Sequence, residues 1–303
     1  MREGAAIHMS RPSRQEGGAR PRRSVLYLPA SNARALDKAR TLDCDVVILD
    51  LEDSVAPEAK AEARAGAVAA VREGGFGGRE VVIRANGLDT PWGADDLAAA
   101  AEARPDAVLS PKISAPEDLS AVRRAVGGDL PIWAMIETCA AMFRMDALGA
   151  ESVNLGVEAW VVGSNDLAKE MRCPLTVERA PLITALGLSL MAARAHRLEI
   201  IDGVFNDIGD EAGLARQCAQ AAAFGFDGKS LIHPSQIPAA NAAFSPDASA
   251  VAWARIVVDA FEQPENAGKG VLKVDGRMVE RLHYAEARRL IGVAEAIAAR
   301  EAA

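Results

Sequence analysis

Short apolar runs alternate with stretches of helical periodicity along most of the chain, and four of these runs end in charged residues. The four runs are Val46–Asp53, Val81–Arg84, Ile132–Glu137 and Trp160–Asp166. Apolar runs of this length, separated by helical stretches, predict buried parallel strands. Because α/β barrels keep their chemistry on polar residues at the exits of such strands, the pattern predicts an active site at one end of a parallel sheet.

The alternation repeats eight times within residues 22–243. The predicted strands are Ser24–Leu28, Val46–Asp50, Val81–Arg84, Ala107–Leu109, Ile132–Ile136, Ala159–Val162, Glu199–Ile201 and Gly228–Leu231. Eight strand–helix units are typical of a (βα)8 TIM barrel of the α/β class. An open, doubly wound sheet is the alternative, but it would usually carry a Gly-rich turn after its first strand, where this chain has Pro29–Asn32.

The two ends of the chain differ from this repeat. Residues 1–21 mix Arg, Gly, Ser and Pro without an apolar core, which predicts a disordered tail rather than a secretory signal. Residues 244–303 predict, in order, a helix over Ala248–Glu262, an apolar segment Val271–Val274 that turns at Asp275-Gly276, and a helix from Met278 to about Arg300. We expect this C-terminal extension to act as a lid or as an oligomerisation element.

Composition narrows the class of protein. The formal net charge of −8 argues against nucleic acid as a partner, and no apolar stretch approaches the roughly 18 residues that a membrane span needs. The four cysteines are far apart, which disfavours disulfides and a structural zinc site. These features favour an enzyme of the reducing cytoplasm.

Two carboxylates, Glu137 and Asp166, follow successive predicted strands and are expected to converge on a barrel. An all-oxygen ligand pair without His or Cys suits Mg²⁺ that keeps several waters. Arg84 ends another strand on the same rim and can stabilise an oxyanion or enolate. The alternative is that these acids cap the following helices or pair with their side chains.

The acidic run Asp50-Leu51-Glu52-Asp53 cannot turn all of its carboxylates to one side. Glu52 or Asp53 is expected to hydrogen-bond metal-bound water or to pair with Arg84, although Asp53 is equally suited to a helix entrance.

Basic residues supply candidates for anion binding. Lys229 and His233 lie at the last predicted strand and its exit, where many barrels bind phosphate. Arg34 and Lys38 are four residues apart on one helical face and follow Tyr27 on the first strand. A solvated basic face is the alternative interpretation of the helix.

Seven segments together resemble the citrate lyase beta-subunit-like and malyl-CoA lyase branch of the HpcH/HpaI aldolase family. They are VLYLPASNARALDKA, DVVILDLEDSVAPEAKAEAR, RANG, IET, NDLA, FGFDGKSLIHPSQI and DGRMVE, in this order. The resemblance implies a TIM barrel, a Mg²⁺ cofactor and homotrimers or hexamers. It also implies a lyase that makes or breaks a carbon–carbon bond in a 3-hydroxyacyl-CoA such as malyl-, citramalyl- or citryl-CoA, with acetyl- or propionyl-CoA and an oxo acid as its products.

The resemblance also assigns roles to single residues. It implies that Glu137 and Asp166 bind the metal, that Glu137 and Arg84 contact the substrate, and that Asp275 is the catalytic acid or base. The implied positions for substrate or CoA binding are Tyr27, Arg34, Lys38, Ile232 and His233. In the family the acid or base usually reaches a neighbouring subunit's site through the C-terminal extension.

Two departures leave the substrate open. Val162–Asn165 stands where the family often has a Phe-Gly pair, and Cys139 follows the IET segment where small residues or Pro are frequent. Three other functions also stay open: a malyl-CoA thioesterase, a class II aldolase acting on free pyruvate, and a subunit of a citrate lyase complex that uses an acyl-carrier protein.

Overall fold

The computed structural model describes residues 20–301, and the predicted disordered tail therefore lies almost entirely outside the described residues. The chain forms two compact units, one of Arg22–Ser245 and one that begins at Pro246. Among residues 20–301, no helix combines the length and the apolar character needed to cross a membrane.

The first unit is a closed barrel of eight strands in sequence order, all paired in parallel. The strands are β1 Ser24–Pro29, β2 Val46–Asp50, β3 Glu80–Arg84, β4 Ala107–Ser110, β5 Ile132–Ile136, β6 Val157–Val162, β7 Glu199–Asp202 and β8 Gly228–Leu231. The predicted (βα)8 barrel is confirmed.

Helices follow the strands of the barrel. They are α1 Ala33–Ala39, α2 Lys60–Glu73, α3 Gly93–Ala103, α4 Pro116–Val126, α5 Cys139–Met142, α6 Met145–Asn154, α7 Ser164–Met171, α8 Ile183–Ala195, α9 Glu211–Phe224 and α10 Ile237–Phe244. The sequence did not predict α7, which is short and mostly polar. It also predicted one helix where the structure has α5 and α6.

Alternating strand residues build two separate apolar layers. Val46 and Ile48 of β2 pack with residues of other strands, such as Trp133, inside the barrel. Their neighbours Val47 and Leu49 pack outward against the surrounding helices. Because both faces of each strand are covered, most strands are largely apolar rather than alternating, and most of their polar groups lie at their ends.

The amino-terminal end of the barrel is closed by ion pairs. Arg22 donates to Glu80 at 2.7 and 2.8 Å and also pairs with Glu158 and Glu199, and its guanidinium carbon lies 4.7 Å from the centre of the Trp133 ring. Because these side chains fill this end of the barrel, we expect an accessible site at the opposite rim. There the strands end in residues such as Asp50 and Arg84.

The second unit has its own small core. Helix α11 (Ala248–Glu262), the antiparallel strands β9 (Val271–Val274) and β10 (Arg277–Glu280), and helix α12 (Arg281–Glu301) pack around apolar residues such as Phe261 and Leu272. The final helix begins three residues later than predicted, because Arg277–Glu280 pairs with β9 instead of starting the helix.

Candidate active site

A cavity of about 260 Å³ opens at the carboxyl ends of the barrel strands. Its lining side chains come from the barrel and include Tyr27, Arg84, Glu137, Asp166, Ser230 and Ile232. Five of these six were candidates from the sequence, so the strand exits that carry them do converge on one cavity.

Arg84 is fixed in the cavity wall by three acidic side chains. Asp50 accepts from its Nε at 2.6 Å and from its Nη2 at 2.7 Å, which is a bidentate pair between two buried side chains. Nη1 lies 2.8 Å from Glu52 and 3.4 Å from Asp53. The guanidinium therefore has a defined position before any ligand binds.

Glu52 and Asp53 are both near Arg84 but in different surroundings. The Glu52 side chain is 14% exposed, whereas that of Asp53 is 68% exposed. Burial raises the pKa of Glu52 to about 8, and the nearby carboxylates of Asp53, Glu137 and Asp50 add to the effect. Arg84 opposes this shift only in part, since Asp50 already neutralises its charge.

Tyr27 lies beside Arg84, whose guanidinium carbon is 4.8 Å from the centre of the tyrosine ring. The phenol oxygen is buried and has no hydrogen-bond partner among residues 20–301. Burial raises the pKa of this phenol, so the group is a neutral donor. An unpaired buried hydroxyl on a cavity wall is a place where a ligand can accept a hydrogen bond.

Glu137 and Asp166 both lie close to the ammonium group of Lys112. Its Nζ lies 2.9 Å from Asp166 Oδ1 and 3.5 Å from Glu137 Oε1. The backbone N–H of Lys112 also donates to Glu137 Oε1 at 2.7 Å. Two carboxylates that lie against one cationic centre form the kind of arrangement that a divalent metal requires.

Local backbone structure sets the position of both acids. Glu137 follows β5 directly, and Asp166 lies in the first turn of α7, after β6. The N–H of Gly163 donates to the Ile136 carbonyl at 3.0 Å, which ties the two strand exits together. A Cβ at Gly163 would lie 2.4 Å from Glu137 Oε2, so only glycine leaves room for this carboxylate.

The donor set fits a hard cation. Burial raises the pKa of Glu137 to about 7, with Lys112 opposing and Asp166 adding to the shift, and a bound divalent cation would favour the ionised form. Among the described residues, no group of three or more His, Cys, Asp or Glu side chains is arranged to hold a metal. The remaining coordination positions would therefore belong to water or substrate oxygens, as is common for Mg²⁺.

The basic candidates do not all reach this cavity. Arg34 and Lys38 are exposed on α1, and neither lines the cavity. Ile232 does line it, whereas the exposed His233 accepts a hydrogen bond from the Ser235 N–H at 3.2 Å and caps a short turn.

Lys229 is completely buried and donates to Asp202 at 2.7 Å and to the Gly203 carbonyl at 2.6 Å. Its ammonium group is satisfied inside the barrel, so the prediction that Lys229 binds phosphate is wrong.

Asp275 occupies the turn between β9 and β10 in the C-terminal unit. Its φ of 45° and the φ of 79° at Gly276 are those of a tight hairpin turn in which Asp-Gly is favoured. The side chain is exposed. Its catalytic role stays a prediction from the sequence.

Sequence reasoning missed the roles of two charged residues of this rim. Asp50 was seen as part of an acidic run, but its pairing with Arg84 depends on the register of β2 and β3, in which the two residues are partners. Lys112 follows β4 by two residues in the segment Ser110-Pro111-Lys112. Its position just after a predicted strand could have marked Lys112 as a residue of the rim. The apolar run of that strand does not itself end in a charged residue, so the strand was not among the four that suggested a site.

Comparison with known proteins identifies the family. The model of the HpcH/HpaI aldolase/citrate lyase family matches residues 23–234. A (3S)-malyl-CoA thioesterase of Cereibacter sphaeroides is 47% identical over 93% of this chain and 97% of its own length. An L-malyl-CoA/beta-methylmalyl-CoA lyase of the same species is 33% identical over 93% of this chain and 97% of its own length.

Solved structures of related proteins point to the same family. The protein CitE from Mycobacterium tuberculosis, in complex with magnesium, acetoacetate and coenzyme A, is 28% identical and superposes with a TM-score of 0.71 over 90% of this chain and 97% of that one. Since the family match spans most of the barrel and relatives match nearly end to end, the chain belongs to the HpcH/HpaI aldolase/citrate lyase family of enzymes.

Proposed function

We propose that this chain is a Mg²⁺-dependent enzyme that hydrolyses the CoA thioester of a 3-hydroxy acid of the malyl type. The observation that carries the proposal is the position of Glu137 and Asp166 against one cationic centre, in a cavity that also contains Arg84. Glu137 and Asp166 would hold the metal, which supplies a Lewis acid for the substrate's oxygens. The magnesium and coenzyme A bound by the related CitE protein support this assignment.

Arg84 would stabilise negative charge on the thioester oxygen. Its guanidinium is already fixed by Asp50 at 2.6 and 2.7 Å, so no reorganisation is needed when charge develops. The unpaired Tyr27 hydroxyl next to it would donate a hydrogen bond to the same substrate. Glu52 would help to hold Arg84 in place, and Asp53 would do so more weakly because it is largely exposed.

Asp275 would move the proton. In hydrolysis a water molecule adds to the thioester carbonyl, the carbon–sulfur bond breaks, and the CoA thiolate takes up the proton that the water lost. A carboxylate that removes this proton and then returns it is a general base followed by a general acid. The DGRMVE segment supports Asp275 for this role, with the C-terminal unit as the lid or oligomerisation element of a homotrimer or hexamer.

Sequence identity to known enzymes favours hydrolysis over carbon–carbon cleavage. The thioesterase from Cereibacter sphaeroides shares 47% of its residues with this chain, and the malyl-CoA lyase from the same species shares 33%, both over 93% of the chain. The acyl group, the metal and the CoA portion would be the same in the two reactions, and the difference lies in whether water attacks the thioester.

A lyase is the second candidate, and family membership favours it. The same metal-binding carboxylates and Arg84 would stabilise the enolate of acetyl-CoA when the bond to an oxo acid breaks. Arg34 and Lys38, exposed on α1, would bind the phosphates of CoA in either reaction.

Turnover of (3S)-malyl-CoA by the purified full-length protein tests the proposal. We expect CoA thiol release with Mg²⁺, loss of this release with EDTA, and recovery on adding excess Mg²⁺. The variant Asp166→Asn should lose at least about 100-fold of the activity. Glu117→Gln, an exposed acid in the first turn of α4, is the matched control and should behave as the wild type. Full activity in EDTA would contradict a metal-dependent enzyme.

A further inference from the structure

Lys112 has an unusual backbone conformation for a lysine at the rim of the barrel. Its φ is 58°, in the left-handed region that residues with a side chain adopt only at a cost. This conformation points the backbone N–H at Glu137 Oε1, 2.7 Å away. The backbone therefore helps to hold one of the two acids, whatever the side chain does.

The side chain of Lys112 bridges the two acids. Its Nζ is 2.9 Å from Asp166 Oδ1 and 3.5 Å from Glu137 Oε1. A lysine ammonium in contact with two carboxylates is a cation at neutral pH.

A metal ion would need the same oxygens. Glu137 Oε1 already accepts the Lys112 N–H, and Oε2 is packed against Gly163, so the oxygen lone pairs that face the cavity are few. An ammonium and a divalent cation on one pair of carboxylates would also repel each other. The Lys112 side chain is 39% exposed and carries four flexible bonds, so it can leave.

We propose that Lys112 is a displaceable internal cation, which holds Glu137 and Asp166 in place without metal and must be displaced when the divalent ion binds. This inference rests on the proposed metal site, and it assigns Lys112 as a positioning residue that sets the affinity of that site. The two carboxylates are then held in position before the metal binds, but the metal binds more weakly because it must displace the ammonium group.

Direct metal binding to the full-length protein tests the inference. Mn²⁺ binding followed by electron paramagnetic resonance, and Mg²⁺ binding by calorimetry, are measured without substrate for the wild type and for Lys112→Met. We expect the variant to bind metal about tenfold more tightly, because the competing charge is gone. Its melting temperature without metal should be a few degrees lower than that of the wild type, and saturating Mg²⁺ should close this gap.

Two further variants serve as controls for the Lys112→Met measurement. Lys112→Arg retains the cation and should bind metal within about threefold of the wild type, which separates charge from side-chain volume. Lys169→Met, on the exposed face of α7, is the matched control and should leave metal affinity unchanged. Equal or weaker metal binding by Lys112→Met, with normal binding by the wild type, would overturn the inference alone. No binding by any of these proteins would overturn the proposed metal-dependent function as well.

Discussion

Asp50 and Arg84 are register partners at the ends of neighbouring strands, and Asp50 accepts two hydrogen bonds from the Arg84 guanidinium, at 2.6 and 2.7 Å. Burial alone raises the pKa of Asp50, but the charge and hydrogen bonds of Arg84 outweigh it and hold the pKa below its usual value. The pair shows how the barrel positions a cation for catalysis, since strand register rather than a flexible loop brings the two residues together.

The variant Asp50→Asn should destabilise the protein by about 3 kcal/mol, because it leaves a buried guanidinium without its main counter-charge. Urea unfolding measures this change. Asp53→Asn is the matched control, since its side chain is 68% exposed, and it should cost no more than about 1 kcal/mol. Equal losses for the two variants would show that the bidentate pair is not the main restraint on Arg84.

Glu52 should make stability depend on pH. Its pKa is raised from 4.5 to about 8 in the folded state, mainly by burial, so between these pH values the folded protein keeps a proton that the unfolded chain loses. The free energy of unfolding therefore falls as pH rises through this range. In Glu52→Gln this fall should be reduced, by up to about 1.4 kcal/mol per pH unit.

Urea unfolding at several pH values from 5 to 8 checks the Glu52 prediction. Glu58→Gln, an exposed acid a few residues further along, is the control and should keep the wild-type pH profile. A Glu52→Gln profile parallel to that of the wild type would mean that Glu52 is ionised throughout the range.

Gly163→Ala should impair activity by steric means. The φ of Gly163 is −92°, which any residue adopts, but a new Cβ would lie 2.4 Å from Glu137 Oε2 and 2.5 Å from Glu137 Cβ. Because the carboxylate must move, we expect about a 100-fold loss of kcat/KM. Gly187→Ala on α8 meets nothing within 4 Å and should leave kcat/KM unchanged while adding up to about 1 kcal/mol of stability. Unchanged turnover in Gly163→Ala would show that catalysis does not depend on the position of the Glu137 carboxylate.

Asp275→Asn should lower kcat by about 100-fold or more while leaving the stability of the protein close to that of the wild type. Asn suits the same turn before Gly276, and the side chain is exposed, so no packing is lost. Steady-state kinetics and thermal unfolding are measured together. The exposed Asp259→Asn on α11 should change neither quantity. A fully active Asp275→Asn enzyme would require another group to transfer the proton.

The sequence predicted the strands well because both faces of each strand are covered, which makes them continuous apolar runs. Val46–Asp50 and Ile132–Ile136 have the predicted bounds. Helix α7 was missed because only eight residues, mostly polar, form it. The last helix was predicted too early because nothing in Arg277–Glu280 itself reveals its pairing with β9.

The candidate site was predictable only in part. Residues that end apolar runs, such as Arg84 and Glu137, carry a local signal, and their convergence follows from barrel closure. Contacts that depend on strand register, such as that of Asp50 with Arg84, have no local signal in the sequence. The same is true of contacts that depend on an unusual backbone angle, such as that of Lys112. The roles of Asp50 and Lys112 are therefore visible only in the structure. The buried state of Lys229 was also hidden, because its partner Asp202 ends a different strand.

Hydrolysis itself is tested most directly by turnover of (3S)-malyl-CoA with Mg²⁺ in ¹⁸O-labelled water, in the presence of a hydrazine reagent that traps any glyoxylate. If water attacks the thioester, every CoA released should be matched by one malate that carries a single ¹⁸O in its new carboxylate, with no trapped glyoxylate. Glyoxylate and acetyl-CoA formed in proportion to the substrate consumed would contradict hydrolysis and identify the protein as a carbon–carbon lyase.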